Sequence, residues 1–390
     1  MDFLLYLGRG FALCVGVGCY FSIVPVSIGW VGLITCAWLH YCFDQKFRST
    51  FYNFHKRIPF WKPACCIVFV ALLGITYSNA PLAVSSYGFR KYAYFLLFIL
   101  LLPYFYYDKK SASLLLGSFV IGSLLFFLYG ILSHQDTYHM NPIAVSLFFA
   151  LLLLWTQLTL YCTSKQKIIR ICFIGVLCYH LLYINTEKTG FVVFAIEYSL
   201  IVLLFLKKYF LRSLLSTLLV GLIVICAYKK PTNLLIRVQR FAHSFDASSS
   251  ERLEMARQCL ILVKQKPFIG HGTCSFGQSL IRHDWSYIGE TATAACERRA
   301  QPHNEWLHVC TQWGLLGMVV FMYWFSYSFY YGWKHRHDFY GQALIALNGA
   351  YLIAGCCDSV FFAASYRFAY IFLFCAIVAK LAGKELKEVR

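Results

Sequence analysis

Long apolar blocks separated by short polar stretches dominate this chain. Each block holds roughly twenty mostly apolar residues, the length that a helix needs to cross a hydrocarbon core of about 30 Å. The pattern predicts an all-α, polytopic integral membrane protein with about twelve transmembrane helices. The predicted spans lie near residues 3–20, 22–43, 63–79, 90–107, 113–132, 142–162, 170–185, 190–206, 211–228, 304–331, 341–356 and 366–383.

Residues 229–303 interrupt this pattern because they are too polar to cross a membrane. The predicted organisation is therefore helices one to nine within residues 1–228, one large loop at 229–303, and helices ten to twelve with a short tail within 304–390. Inside the loop, three serines before Glu251 form an N-cap pattern that predicts a helix over residues 252–264. A glycine-rich turn follows Pro267.

The distribution of basic residues predicts the orientation of the helices. If the N-terminus is inside, the short loops on that side and the C-terminal tail hold nineteen Lys and Arg residues. The short loops on the other side hold only Arg90, Lys91 and Lys188. Because basic loop residues stay in the cytoplasm, both ends are predicted inside and the large loop in the periplasm.

Composition agrees with a membrane protein, since 59% of the residues are hydrophobic and 13% are charged. Soluble domains carry roughly 25% charged residues. The formal net charge of +18 first suggests nucleic acid as a partner. Topology explains most of that charge and no nucleic-acid-binding motif accompanies it, so the predicted partner is the lipid bilayer and not nucleic acid.

The seventeen cysteines do not form the pattern of a disulfide framework, because most lie inside predicted spans and act there as small apolar residues. Cys259, Cys274 and Cys296 fall in the large loop, where an oxidising compartment would permit a disulfide between Cys274 and Cys296. No CxxC pair occurs, and no metal site is predicted.

The large loop carries eleven basic and six acidic residues, although it lies on the side where basic residues are scarce. An anionic ligand at the outer membrane surface is the simplest reason for this excess. Among the loop's basic residues, Arg252 begins the predicted helix, and Arg257 and Arg282 would add a general attraction for anions.

His303 lies where the large loop enters the tenth helix. A helix start offers unpaired backbone N–H groups and a partial positive charge, which favours a neutral imidazole that can act as a general base. Asp358, at the outer end of the eleventh span, is a candidate to orient this imidazole. Glu305 is interpreted as an acid that stabilises the helix dipole. The alternative for His303 is an interfacial or capping residue without chemistry.

A family resemblance rests on two motifs. His303-Asn304, nine residues, Gly314, two residues and Gly317 resemble the signature H-[NSQ]-x9-G-x-x-[GTY] of WaaL-type O-antigen ligases and related bacterial O-oligosaccharyltransferases. Residues 250–252 and the spacing of Pro267, Gly270, Gly272 and Phe276 are similar to the preceding segment in the wider ligase and polymerase superfamily. A long loop between the ninth and tenth of twelve spans is similar as well.

The resemblance implies a donor glycan on undecaprenyl pyrophosphate, a sugar hydroxyl of lipid A–core as acceptor, and inversion at the anomeric carbon. It implies no cofactor and no metal. His303 would be the base, and Arg252 would bind the donor pyrophosphate as the second catalytic residue. Lys188 stands where the family has a second arginine, and it keeps the charge but lacks the bidentate fork. Asn304, Arg90 and Lys91 complete the predicted substrate-binding residues.

The chemistry of the reaction agrees with this assignment. Negative charge develops on a departing pyrophosphate, and either a metal or basic side chains must stabilise it. The loop has no DxD motif, whereas its basic residues are plentiful.

Three functions follow in order of preference. The first is an O-antigen ligase in the bacterial inner membrane, with its active site facing the periplasm. The second is an O-antigen polymerase of the same superfamily, which differs only in its acceptor. The third is a transporter or flippase for lipid-linked glycans, which would place ionisable residues inside the spans.

Overall fold

The computed structural model describes residues 1–133, 252–283, 285 and 301–388, and within these ranges every regular element is helical. A 3₁₀ turn over Tyr94–Leu96 joins α5 to α6. The helices are α1 (Asp2–Phe21), α2 (Ile23–Phe43), α3 (Gln45–Arg57), α4 (Trp61–Thr76), α5 (Leu82–Ala93), α6 (Leu97–Tyr107), α7 (Lys109–Ser133), α8 (residues 252–265), α9 (Phe276–His283), α10 (Glu305–Lys334), α11 (Phe339–Gly355) and α12 (Ala364–Glu388).

Five helical segments within the described ranges are long and apolar enough to cross a membrane. They are α1, α2, the joined α5 and α6, α10, and Tyr366–Lys384 of α12. A sixth results if α3 and α4, which meet at 82°, count as one broken span. The chain is therefore a polytopic helical membrane protein, as predicted.

Four predicted spans, near residues 142–162, 170–185, 190–206 and 211–228, lie outside the described residues. The total of twelve spans, the division at residues 228 and 303 and the periplasmic position of the loop therefore stay predictions. The helix predicted over residues 252–264 is confirmed as α8.

The fourth predicted span begins earlier in the structure than the sequence suggested. It was predicted over residues 90–107, whereas the continuous helical segment is Leu82–Tyr107. The added turns are less apolar, and Ser85 satisfies its hydroxyl by donating to the backbone oxygens of Pro81 and Leu82. Arg90 and Lys91 consequently lie in the last turn of α5 and not at the start of a span.

The segment between the second and third predicted spans, expected to be only a cytoplasmic loop, contains the helix α3. Asp44 caps this helix, since its side chain accepts hydrogen bonds from the backbone N–H groups of Lys46 and Phe47. Phe47 and Phe54 are buried against the rest of the protein. A short basic helix of this kind has no twenty-residue apolar block, so a search for spans does not reveal it.

Two sets of polar contacts join spanning helices inside the bundle. Arg9 of α1 donates from Nε and a terminal nitrogen to both carboxylate oxygens of Asp108, at 3.0 and 3.1 Å, and so joins α1 to the corner between α6 and α7. Trp324 of α10 donates to the hydroxyl of Tyr370, which donates to Asn348 of α11. Polar groups within a membrane need such internal partners.

Candidate active site at the break in helix α10

Helix α10 is broken at Gly314, which has φ 59° and ψ −149°. Beyond the break, the backbone N–H groups of Leu315 and Leu316 donate to the carbonyl oxygens of Pro267 and Phe268, at 2.7 and 3.1 Å. The glycine-rich turn therefore supplies the acceptors that the interrupted helix lacks. The two sequence motifs of the family resemblance form one packed unit.

The glycines of this unit are required by close backbone contacts. A Cβ added to Gly314 would lie 2.5 Å from the backbone of Phe268, and one added to Gly270 would lie 2.5 Å from the backbone of Gln312. A Cβ on Gly272 would lie 2.2 Å from the Cα of Ser78. All three have positive φ, which glycine adopts without a steric penalty. These glycines thus serve helix packing.

His271 fixes the turn from within. Its backbone N–H donates to the oxygen of Thr311 at 2.9 Å, and its Nε2 donates to the oxygen of Leu262 at 2.9 Å. The amide of Asn79 donates to its Nδ1 at 3.3 Å. Burial lowers the pKa of His271, and the positive charges of Lys266 and Arg282 lower it further. The ring is therefore held in its neutral form, in which Nε2 donates to Leu262 and Nδ1 accepts from Asn79.

A chain of buried hydrogen bonds runs from the turn to the start of α10. The backbone N–H of Cys274 donates to Gln312 at 2.6 Å, and the amide of Gln312 donates to the hydroxyl of Tyr92 at 3.3 Å. Tyr92 donates to Glu305 at 3.0 Å, and the backbone N–H of Phe361 donates to the other carboxylate oxygen at 2.9 Å. Glu305, predicted only to stabilise the helix dipole, thus joins α5, α10 and the loop between α11 and α12.

Arg367 of α12 also fixes the loop between α11 and α12. This side chain is 1% exposed and donates to the backbone oxygens of Phe361 and Phe362 at 2.9 and 3.0 Å. Its guanidinium lies 4.7 Å from the ring centre of Tyr94. We did not predict a role for Arg367 from the sequence. The sequence feature that indicates such a role is the position of Arg367 inside a predicted span, where an arginine usually has a structural or functional role.

His303 precedes the first turn of α10, as predicted. Asn304 is the N-cap: its side-chain oxygen accepts from the N–H of Leu307, and its amide donates to the oxygen of Cys356, both at 2.9 Å. His303 itself has φ 48°, a left-handed conformation that costs a non-glycine residue about 1–2 kcal/mol. Residues kept in this region are frequent at functional sites.

The imidazole of His303 meets a buried carboxylate. Its Nδ1 lies 3.1 Å from Oδ1 of Asp358, whose side chain is 5% exposed. Asp358 is itself fixed, because its Oδ1 accepts from the N–H of Ser359 at 2.8 Å and its backbone oxygen accepts from the N–H of Glu305 at 3.2 Å. With Nδ1–H donated to Asp358, the lone pair of the neutral ring lies on Nε2. The side chain of His303 remains 28% exposed.

Arg252 begins the described part of α8, which packs beside the start of α10. Cys259 and Leu262 of α8 share a small core with Phe276 of α9 and Leu307 of α10. Burial raises the pKa of the Cys357 thiol, and the positive charge of Arg252 acts in the opposite direction.

Of the remaining predicted site residues, the structure describes Lys91 and Arg90 but not Lys188. Lys91 lies 4.1 Å from the ring centre of Tyr87 and 5.9 Å from that of Phe362, next to the loop that contains Asp358. Arg90 is exposed and lies 5.7 Å from the ring of Tyr87. Lys188 lies outside the described residues.

The disulfide suggested between Cys274 and Cys296 stays a prediction, because Cys296 also lies outside the described residues. Cys274 is buried against α5, where a Cβ added to Gly88 would lie 2.7 Å from the Cβ of Cys274.

Residues 171–322 match the model of a protein family described as O-Antigen ligase. The match supports the O-antigen ligase and polymerase superfamily. It includes Arg252, the glycine-rich turn and His303, but ends before Asp358 and Arg367. It does not separate ligases from polymerases, and it supports an enzymatic role in general. No curated protein matches the chain.

Proposed function

We propose that this protein is an O-antigen ligase, which transfers a glycan from undecaprenyl pyrophosphate to a sugar hydroxyl of lipid A–core. The observation that carries the proposal is the contact between His303 and Asp358, with Arg252 in the first described turn of α8, the helix that packs beside the start of α10. The protein thereby offers an oriented imidazole as a base for the acceptor hydroxyl and a permanent cation for the departing diphosphate.

In the proposed step, Nε2 of His303 takes the proton of the acceptor hydroxyl. The hydroxyl oxygen attacks the anomeric carbon of the donor, and the bond from that carbon to the diphosphate oxygen breaks on the opposite face, with inversion. Asp358 stabilises the imidazolium that forms, as a carboxylate does for a histidine in a hydrolase triad. The electron pair leaves with the diphosphate.

Arg252 stabilises the negative charge on the departing diphosphate, because a guanidinium binds phosphate oxygens with two parallel hydrogen bonds. Lys188 is proposed as a second cation for the same group, and Arg90 and Lys91 as residues that attract the donor or the acceptor phosphates. Asn304 uses its side-chain oxygen and amide in the cap and in the contact to Cys356. It therefore contributes to substrate binding through the position of the loop that holds Asp358.

The site is proposed to face the periplasm of the bacterial inner membrane and to work without a cofactor or a metal. Within residues 1–133, 252–283, 285 and 301–388, no group of three or more His, Cys, Asp or Glu side chains could hold a metal ion. A direct test of metal dependence is chelation during turnover. Activity that disappears with EDTA and returns with magnesium or manganese would contradict the proposed role of Arg252.

The acceptor is tested by reconstituting the full chain in liposomes with lipid-linked glycan and lipid A–core, and separating the products by mass. A ligase attaches the glycan to lipid A–core. If longer lipid-linked glycans form and lipid A–core stays unmodified, the protein is a polymerase of the same superfamily. Movement of the donor between leaflets without any transfer would favour a flippase.

A further inference from the structure

A cavity of about 340 Å³ lies at the elbow between α3 and α4 and is lined by none of the candidate active-site residues. Its lining residues are Phe51, His55 and Lys56 of α3, Trp61 of α4 and Ile99 of α6. The other end of α4 contacts the glycine-rich turn, where Thr273 donates to the oxygen of Ala71. Ala71 lies ten residues after Trp61, so the two places are about 15 Å apart along α4.

A backbone carbonyl oxygen of α6 that lacks an intrahelical donor joins this helix to the elbow. Pro103 lies inside α6 and has no N–H, so the carbonyl oxygen of Ile99, four residues earlier, lacks its helical donor. Nε2 of His55 donates to this oxygen at 2.7 Å. The contact joins α3 to α6 beside the cavity, which both residues line.

The surface of α3 is basic on one side and apolar on the other. The helix contains Lys46, Arg48, Lys56 and Arg57 and no acidic residue, while Phe47 and Phe54 are buried. Its axis turns 82° from that of α4. A basic amphipathic helix that lies across the direction of a span is typical of the interface between headgroups and acyl chains.

Trp61 marks the same boundary at the other wall of the cavity. Its side chain is 39% exposed, and the amine of Lys62 lies 5.9 Å from its ring centre. Tryptophan is enriched at the level of the lipid headgroups, where its ring faces acyl chains and its N–H faces water.

We propose that the α3–α4 elbow binds one anionic phospholipid, with an acyl chain in the cavity and the phosphate beside Lys56. The apolar walls fit a hydrocarbon chain, and the cations of α3 complement the net negative charge of such a lipid but not a zwitterionic one. Each Lys or Arg near an anionic lipid surface strengthens binding by about fivefold. None of its residues is proposed to take part in glycan transfer.

The test is native mass spectrometry of the full-length protein in detergent, titrated with phosphatidylglycerol or phosphatidylcholine. We expect one phosphatidylglycerol to bind at least about fivefold more tightly than phosphatidylcholine, and Lys56→Gln to remove most of that difference. Lys46→Gln is the matched control, since it removes the same charge from the same helix away from the cavity. Ile99→Trp, which fills the cavity, should weaken binding without changing the charge.

Three results would overturn the proposal. They are equal binding of the two lipids, an equal loss in Lys46→Gln and Lys56→Gln, and equal competition by the chain-free headgroup glycerophosphoglycerol. The last result would indicate a site for free anions and not for a lipid.

Discussion

At the scale of single residues, the contact between Nδ1 of His303 and Oδ1 of Asp358 determines which ring nitrogen can accept a proton. The Asp358 side chain is nearly inaccessible to solvent. The N–H of Ser359 donates to its Oδ1, and the N–H of Glu305 donates to the backbone oxygen of Asp358. The carboxylate therefore selects the tautomer with a proton on Nδ1 and a lone pair on Nε2.

Asp358→Asn should lower the transfer rate by about 10²–10⁴-fold, because a neutral amide does not stabilise the imidazolium that forms on His303 when it takes the proton. The side-chain oxygen can still accept from Ser359, so thermal unfolding should change little. Turnover of the reconstituted variant and its unfolding temperature are measured together. Asp2→Asn, an exposed aspartate at the start of α1, serves as the control. Unchanged turnover would remove Asp358 from the mechanism.

Glu305→Gln should reduce the free energy of unfolding by about 1–3 kcal/mol. Both carboxylate oxygens of Glu305 accept hydrogen bonds, from Tyr92 and from the N–H of Phe361. Glutamine has only one acceptor oxygen, so one buried donor would meet an amide N–H group. Thermal unfolding in detergent measures the effect, and a variant as stable as the wild type would show that this network contributes little.

Sequence reasoning selected His303 and Arg252 as candidates because they stand in recognisable motifs next to a helix start. The burial of Glu305 and the loop contacts of Arg367 were not predictable in this way. Glu305 is bonded to Tyr92, which is 213 positions away in the chain. Such a contact depends on how α5 and α10 pack, and a single sequence does not carry that information.

At the scale of elements, the broken helix α10 and the glycine-rich turn depend on each other. The turn supplies acceptors at Pro267 and Phe268, and the helix supplies carbonyl oxygens at Thr311 and Gln312. The sequence suggested a glycine-rich turn and a helix start, but it predicted one uninterrupted span at residues 304–331. The break at Gly314 was missed because glycine also occurs in intact membrane helices.

Gly314→Ala should destabilise the protein by about 1–3 kcal/mol, since alanine would be strained at this φ and its Cβ would contact backbone atoms that cannot move easily. Transfer activity should fall as well, because the first half of α10 carries the site. Gly117→Ala is the matched control: nothing lies within 4 Å of its added Cβ, and in a helix it should be neutral or stabilising by up to about 1 kcal/mol. Equal unfolding temperatures for both variants would contradict this view of the break.

His271 makes the stability of the turn depend on pH. Its pKa in the folded protein lies below the ordinary value of 6.5, so the unfolded chain takes up a proton first as the pH falls. Stability should be fully present above about pH 7 and should decrease as the pH drops below 6.5 towards the lowered value. Unfolding temperatures measured from pH 8 to pH 5 test this, and His271→Gln should flatten the slope. A slope that is the same in both proteins would assign it to other groups.

At the scale of the whole molecule, apolar block length predicted most of the described helices to within a few residues. This agreement follows from a strong constraint, since every span must be apolar over the thickness of the bilayer. The helix α3 was missed because it is short and basic, and the start of α5 was missed because its first turns contain serine and glycine. Apolar block length did not predict which helices lie around the site, because that arrangement depends on how the helices pack.

The measurement that tests the central proposal most directly is turnover by His303→Ala. It is made in liposomes that contain EDTA and saturating lipid-linked glycan and lipid A–core. We predict a loss of at least about 10²-fold relative to the wild type, with no change in unfolding temperature. His337→Ala, an exposed histidine beyond the other end of α10, should retain full activity. Turnover by His303→Ala within about threefold of the wild type would contradict general-base catalysis at this site.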